Sequence, residues 1–232
     1  MLYPLPAVMV TTADHQGNYN IFTVAWAGTV CSDPPMVSIS VRPSRHSWGM
    51  IRETGDFVVN MTTESLTFAA DYCGVVSGRD VDKFQKMGLT PLPAEHVAAP
   101  LLKESPVNLE CKVEQVLSLG THDMFIARVV AVHVDEEYLD EKQKFHLNQA
   151  APVVYSHGSY LGVGKEIGTF GYSVRKKDPA KPAGKHADSR EKKPGKSAKK
   201  SGHTPGHSGK KSAKNRSIQK DFSGKDQSRK RK

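Results

Sequence analysis

The chain lacks most of the features that would fix its class at a glance. No apolar run in its 232 residues approaches the roughly 18 that a membrane-spanning helix needs. The opening "MLYPLPAVMVTTADHQG" has neither a basic stretch nor a small-residue cleavage site. Cysteine is scarce: Cys31, Cys73 and Cys111 are odd in number and show no CxxC spacing, which argues against a disulfide framework or a thiolate metal site. The ten histidines are scattered without an HExxH pattern, and no GxGxxG follows a strand pattern. We therefore expect no metal centre and no separate Rossmann domain. Neither a nucleophilic triad nor a pair of catalytic carboxylates is evident. These absences lead us to expect a soluble, cytoplasmic protein with free thiols.

What is present is unevenly distributed. The formal charge of +9 hides two regions of opposite sign. Residues 175 to 232 hold 21 Lys and Arg against 5 Asp and Glu, a balance of +16. The first 174 residues hold 12 against 19, a balance of −7. That acidic body is long enough to bury one substantial core. The basic tail has Ile218 and Phe222 as its only large apolar residues, too few to offset chain entropy, so it is expected to be disordered. Such a segment would bind polyanions weakly and without sequence preference. A chain truncated after Val174 should then lose that binding at low salt.

Within the body, apolar alternation marks strands in "YPLPAVMVTTAD", "IFTVAWAGTV", "MVSISVR", "DFVVNM", "VNLECKVEQV", "HDMFIARVVAVHV" and "APVVYS". Short helical patterns intervene. One starts near Ser44 as N-cap, turns Trp48 and Ile51 to one side and stops at Gly55; a second runs through "TTESLTFAADYCG" and ends before Gly74; a third lies in "GRDVDKFQKMG" and closes at Gly88. The proline-rich "LTPLPAEHVAAPLLKESP" reads as a long surface loop. With no βαβ rhythm, mostly antiparallel pairing in a small barrel is the better reading.

The most informative stretch is "VSISVRPSRHS", where a strand ends in two arginines, a histidine and several hydroxyls just as a helix begins. Forked guanidinium donors, hydroxyls and the free N–H groups of a helix start are what an anion needs. On the residues alone, a capped surface helix with solvated arginines explains the stretch equally well.

Several separated motifs together resemble a known family. "NIFTVAWAGTVCSDPPMVSISVRPSRHSWGMIRETGDFVVNM", then "CGVVSGRDVDKF", "LGTHDMFIARVVAV" and "YSHGSYLGVGKEIGTFGYS", are similar in order and spacing to the flavin reductase-like proteins. These are the flavoredoxin group of FMN-binding split barrels. The resemblance covers residues 1 to 174 and leaves 175 to 232 without a counterpart. It implies a mainly β antiparallel Greek-key split barrel with short helices, a homodimer, and FMN in preference to FAD. It also implies either NAD(P)H-dependent reduction of flavin or ferric complexes, or an electron carrier without its own NAD(P)H activity.

The resemblance also implies roles for particular residues. Arg45 and Ser47, with Ser44 and His46 beside them, would hold the flavin phosphate, and Arg42 and Ser40 the ribityl chain. Thr29, Val30 and Cys31 would line the ring edge near Trp26. Cys31 reads more simply as a small residue whose backbone matters than as a redox thiol. Ser77, Gly78, Asp82 and Lys83 would close over the flavin; the alternative for that segment is an ordinary amphipathic helix in which Asp80 and Lys83 form a surface pair worth little. His122 would lie where nicotinamide or substrate stacks. The family has Asp before this histidine, whereas here Thr121 precedes it and Asp123 follows. His157 and Tyr160 are further candidates. No side chain need act as acid or base when a flavin carries the chemistry.

Overall fold

The computed structural model describes residues 2–175. In chain order the elements begin with β1 (Leu5–Pro6), β2 (Val8–Ala13), β3 (Tyr19–Val24), β4 (Ala27–Ser32), β5 (Pro35–Val41), α1 (His46–Thr54) and β6 (Asp56–Met61). Then come α2 (Thr67–Val75), α3 (Lys83–Met87), β7 (Pro91–Leu92), β8 (Leu101–Leu102), β9 (Val107–Ser118), β10 (Asp123–Val134), β11 (Val153–Ser156) and β12 (Ser159–Gly162). Gly164–Arg175, the described part of a second unit, carries one 3-10 turn at Tyr172–Val174. Apart from Arg175, the tail expected to be disordered lies outside the described residues. Among the described residues no helix is long and apolar enough to cross a membrane, and all three cysteines are free.

Seven strands form one antiparallel sheet in the order β3-β2-β6-β9-β10-β5-β4. Its apolar face closes on itself. Val8 and Val10 of β2, Phe22 and Val24 of β3, Ile39 and Val41 of β5, Phe57 and Val59 of β6, and Phe125 and Ala127 of β10 share one buried cluster. Strands far apart in the sheet order meet there because alternation sends every second side chain inward. The fold is the mainly β split barrel with short helices that the sequence implies. Ile51 of α1 joins the same cluster, so α1 packs into the barrel and its start is fixed relative to the strands. A second cluster, including Met9, Ile21, Ala70, Cys73 and Phe84, seats α2 and α3 on the outer face of β2 and β3.

Turns fall where local chemistry dictates. The Asp14 carboxylate accepts from the Gln16 and Asn18 amides at 3.0 and 2.8 Å, and Gly17 takes a left-handed φ of 82°, closing β2 onto β3. Gly55, at φ 72°, ends α1 by donating to the Ile51 carbonyl at 2.9 Å.

Five local expectations are corrected. "IFTVAWAGTV" is two strands, because the chain bends at Ala25-Trp26 without a conventional turn residue. Ser44 is not the N-cap of α1; Arg45 holds that position without a side-chain cap bond. Gly74 lies inside α2, which runs on to Val75. The third helix does not reach back to Gly78: α3 starts at Lys83, capped by the Asp82 carboxylate accepting from Gln85 N–H at 3.1 Å. The closing segment is a hairpin of two strands, β11 and β12, not one.

The proline-rich segment is also more tied down than a surface loop. It forms the β7–β8 pair and buries Ala99, Leu101 and Leu102. Two buried carboxylates hold its backbone. Asp56 accepts from the Ala98 and Ala99 amides at 2.9 and 3.3 Å. Glu110, wholly buried, accepts from the Glu95 and His96 amides at 2.9 and 2.7 Å and from His133 Nε2 at 2.6 Å. Burial alone would raise the Glu110 carboxyl, but the His133 bond and the two amides hold it below its usual range.

Candidate functional site

The end of β5, the start of α1, the bend between β3 and β4, the outer turn of α2 and the β11–β12 hairpin together enclose a cavity of about 800 Å³. The size suits a cofactor or drug-sized ligand. Its chemistry is lopsided. Arg42, Arg45, Arg79, Lys83 and His46 line it, against one carboxylate, Asp71.

The cationic end is built by a turn. Strand β5 stops at Val41, and Arg45 N–H reaches back to the Arg42 carbonyl at 3.0 Å, so the chain reverses and α1 starts at His46. Arg45, as N-cap, leaves the first amides of α1 without a side-chain partner, and those N–H groups carry the positive end of the helix dipole. Arg79 crosses from the turn before α3 and donates to the Ser44 carbonyl at 3.2 Å. Ser47 is almost fully buried, and its hydroxyl accepts from Asn20 Nδ2 at 2.6 Å. Gly78 packs over that pair so closely that a Cβ would sit 2.1 Å from Asn20 Oδ1. A side chain at 78 would have to displace the Asn20 amide from Ser47.

Lys83 is the unusual member. It is 3% exposed, yet its ammonium donates to two backbone carbonyls, Ile21 at 2.8 Å and Cys73 at 2.9 Å. Burial pulls the amine down to about 8, with Arg45 adding to the effect and Cys73 opposing it. Burial likewise lowers the His46 imidazole, with Arg79 and Lys83 reinforcing the shift and Asp14 opposing it.

The other end is aromatic. Trp26, on the β3–β4 bend, lies nearly parallel to His122 of the β9–β10 loop, with ring centroids 6.2 Å apart and planes at 10°. Tyr155 and Tyr160 form a further wall, and the Tyr160 hydroxyl donates to Asp71 at 3.3 Å. Burial first, then the Asp71 carboxylate, pushes that phenol up to about 12.

Of the residues singled out from the sequence, the structure brings Trp26, Ser40, Arg42, Ser44, Arg45, His46, Ser47, Ser77, Gly78, Lys83, His122 and Tyr160 around this one cavity. Thr29, Val30 and Cys31 do not line it; they sit on β4, with Thr29 and Val30 exposed. Asp82 serves as the α3 cap, and His157 packs against Tyr3 with centroids 4.0 Å apart and planes tilted at 39°. Sequence reasoning missed Asn20, Asp71, Arg79 and Tyr155. Arg79 had a signal, since it follows Gly78 directly. Asn20 had a weaker one, as an amide flanking an apolar strand.

The split barrel agrees with comparison to known proteins. Residues 1–164 match the flavin reductase like domain, and the chain belongs to that family. It is similar to the flavoredoxin of Desulfovibrio vulgaris (Miyazaki F), at 33% identity and a TM-score of 0.71, over 75% of this chain and 95% of that one. A putative flavin reductase with a split barrel domain from Shewanella frigidimarina gives 25% identity and a TM-score of 0.66, over 72% of this chain and 86% of that one. An uncharacterised protein of Aeropyrum pernix is 31% identical over 139 residues, which is 60% of this chain but 52% of that longer protein.

Proposed function

We propose that the chain binds FMN in this cavity and acts as an NAD(P)H-dependent flavin or ferric reductase. The observation that carries the reading is the charge pattern. Three arginines, a buried lysine and an uncapped helix start face one carboxylate, and this donor set fits a phosphate dianion. Arg45, Arg79 and the first amides of α1 would hold the phosphate. Arg42 and Ser40 would face the polyol chain, and Trp26 and His122 would border the flat ring. When bound, the flavin supplies hydride and electron transfer. The protein's own residues anchor, orient and screen it. The similarity to a flavoredoxin at 33% identity favours a second reading, an electron carrier that accepts electrons from another protein.

Fluorescence titration with FMN and with riboflavin, which lacks the phosphate, tests the assignment. FMN should bind about tenfold or more tighter, the worth of one charge-assisted hydrogen bond. Equal affinities would remove the phosphate from the Arg42–Ser47 turn.

A further inference from the structure

Lys83 is more deeply buried than an ordinary anion-binding lysine needs to be. Its amine has only carbonyl partners and lies close to Arg45 and His46. The groups facing it are Arg45 and His46 from α1 and Cys73 from α2. Cys73 is a thiol whose burial pushes it up to about 11, so it stays neutral near pH 8. Arg79, from the turn before α3, and Asp14, from the β2–β3 turn, bear on His46. Within this group Asp14 is the one carboxylate, and it reaches His46 but not the lysine. Among the described residues, therefore, two backbone carbonyls but no hydrogen-bonded carboxylate offset the ammonium and its cationic neighbours. An arriving dianion reverses that balance and favours the charged amine.

We propose that Lys83 takes up a proton when a phosphate enters the cradle, so that the site grips the phosphorylated flavin tightly at neutral pH and loosens as the pH rises. This rests on the FMN reading above. The sign follows from linkage. The free amine has the lower pKa and the bound amine the higher one, so the bound state carries more protons between the two values. Affinity is then full below the lower value and falls by about tenfold per pH unit between them. Burial and its cationic neighbours lower the His46 imidazole in the free protein, and the Lys83→Arg variant separates any share of the uptake carried by His46 from that of the lysine.

Calorimetric titration of FMN at pH 8, in two non-phosphate buffers of different ionisation enthalpy, measures the proton directly. A phosphate monoester, with its second pKa about 6, is already a dianion there and contributes little. With the lysine at about 8, wild-type protein should take up about half a proton per FMN. Lys83→Arg, which keeps a permanent charge, should bind FMN with uptake close to zero, and riboflavin should bind the wild type with no uptake. FMN binding to the wild type without proton uptake overturns the proposal while leaving the FMN reading intact. If FMN does not bind, inorganic phosphate is titrated under the same conditions. Phosphate binding with uptake keeps the lock and removes the flavin; no binding of either overturns both.

Discussion

Replacing Arg45 and Arg79 together with alanine should weaken FMN binding by roughly 100-fold or more while changing riboflavin affinity little. Hydrogen bonds to a charged group contribute about 1.5–3 kcal/mol each, and two such losses exceed two decades in affinity. Both side chains are exposed, at the rim of the cavity, and neither belongs to the buried core. Folding should therefore survive, and a lost affinity can be read as a lost contact. The neighbouring Asn20–Ser47 bond, the Gly78 packing and the helix start remain in place in this variant, which is why residual binding is expected. Side-by-side fluorescence titrations of FMN and riboflavin provide the measurement. An unchanged FMN affinity, or an equal loss for both ligands, would show that the arginines do not meet the phosphate.

The second large effect concerns stability, on the opposite side of β9. Glu110→Ala should cost roughly 3–5 kcal/mol, since each buried donor left unsatisfied costs about 1–3 kcal/mol. The deletion strands His133 Nε2 and the Glu95 and His96 amides at once, and the proline-rich segment loses one of its two anchors. Glu110→Gln keeps the shape and should cost less. The pH dependence has a definite sign. The folded carboxyl titrates lower than the unfolded one, so its stabilisation is fully present above about pH 4.3, the ordinary glutamate value. It is lost as the pH falls through the lower folded value. Urea midpoints at neutral pH and at successively lower pH should show wild type and Glu110→Gln converging under acid. Parallel curves would contradict the role given to the ionised carboxylate.

Much of this was legible in the chain because alternation is a local signal. The inward sets on β2, β5, β6 and β10 follow directly from period-two patterns, and "SVRPSRHS" holds most of its cationic turn within eight residues. What was not legible depends on distant segments meeting. Arg79 matters because it reaches Ser44, 35 residues away, and Asn20 because it meets Ser47 across the β3–α1 contact. Asn108 and Glu110 alternate with apolar residues and so read as solvent-facing. They are buried because the 93–102 segment folds over that face of the sheet. Thr29, Val30 and Cys31 follow the cavity residues Ala25 and Trp26 closely in sequence but do not line it, since they lie on β4 beyond the bend at Trp26. Lys83 also admitted a reading as half of a surface pair; its burial appears only once α2 and α3 pack on β3.

The central claim, a flavin held in the cationic cavity and reduced there, is tested most directly by a visible spectrum. The full chain is mixed with FMN, freed of excess ligand and then given NADH or NADPH under nitrogen. Retained yellow colour that bleaches with one of the pyridine nucleotides is expected. Colour that persists would leave the flavin site standing and make the chain an electron carrier. A colourless protein, with no affinity for FMN at equilibrium, would contradict the account at its base.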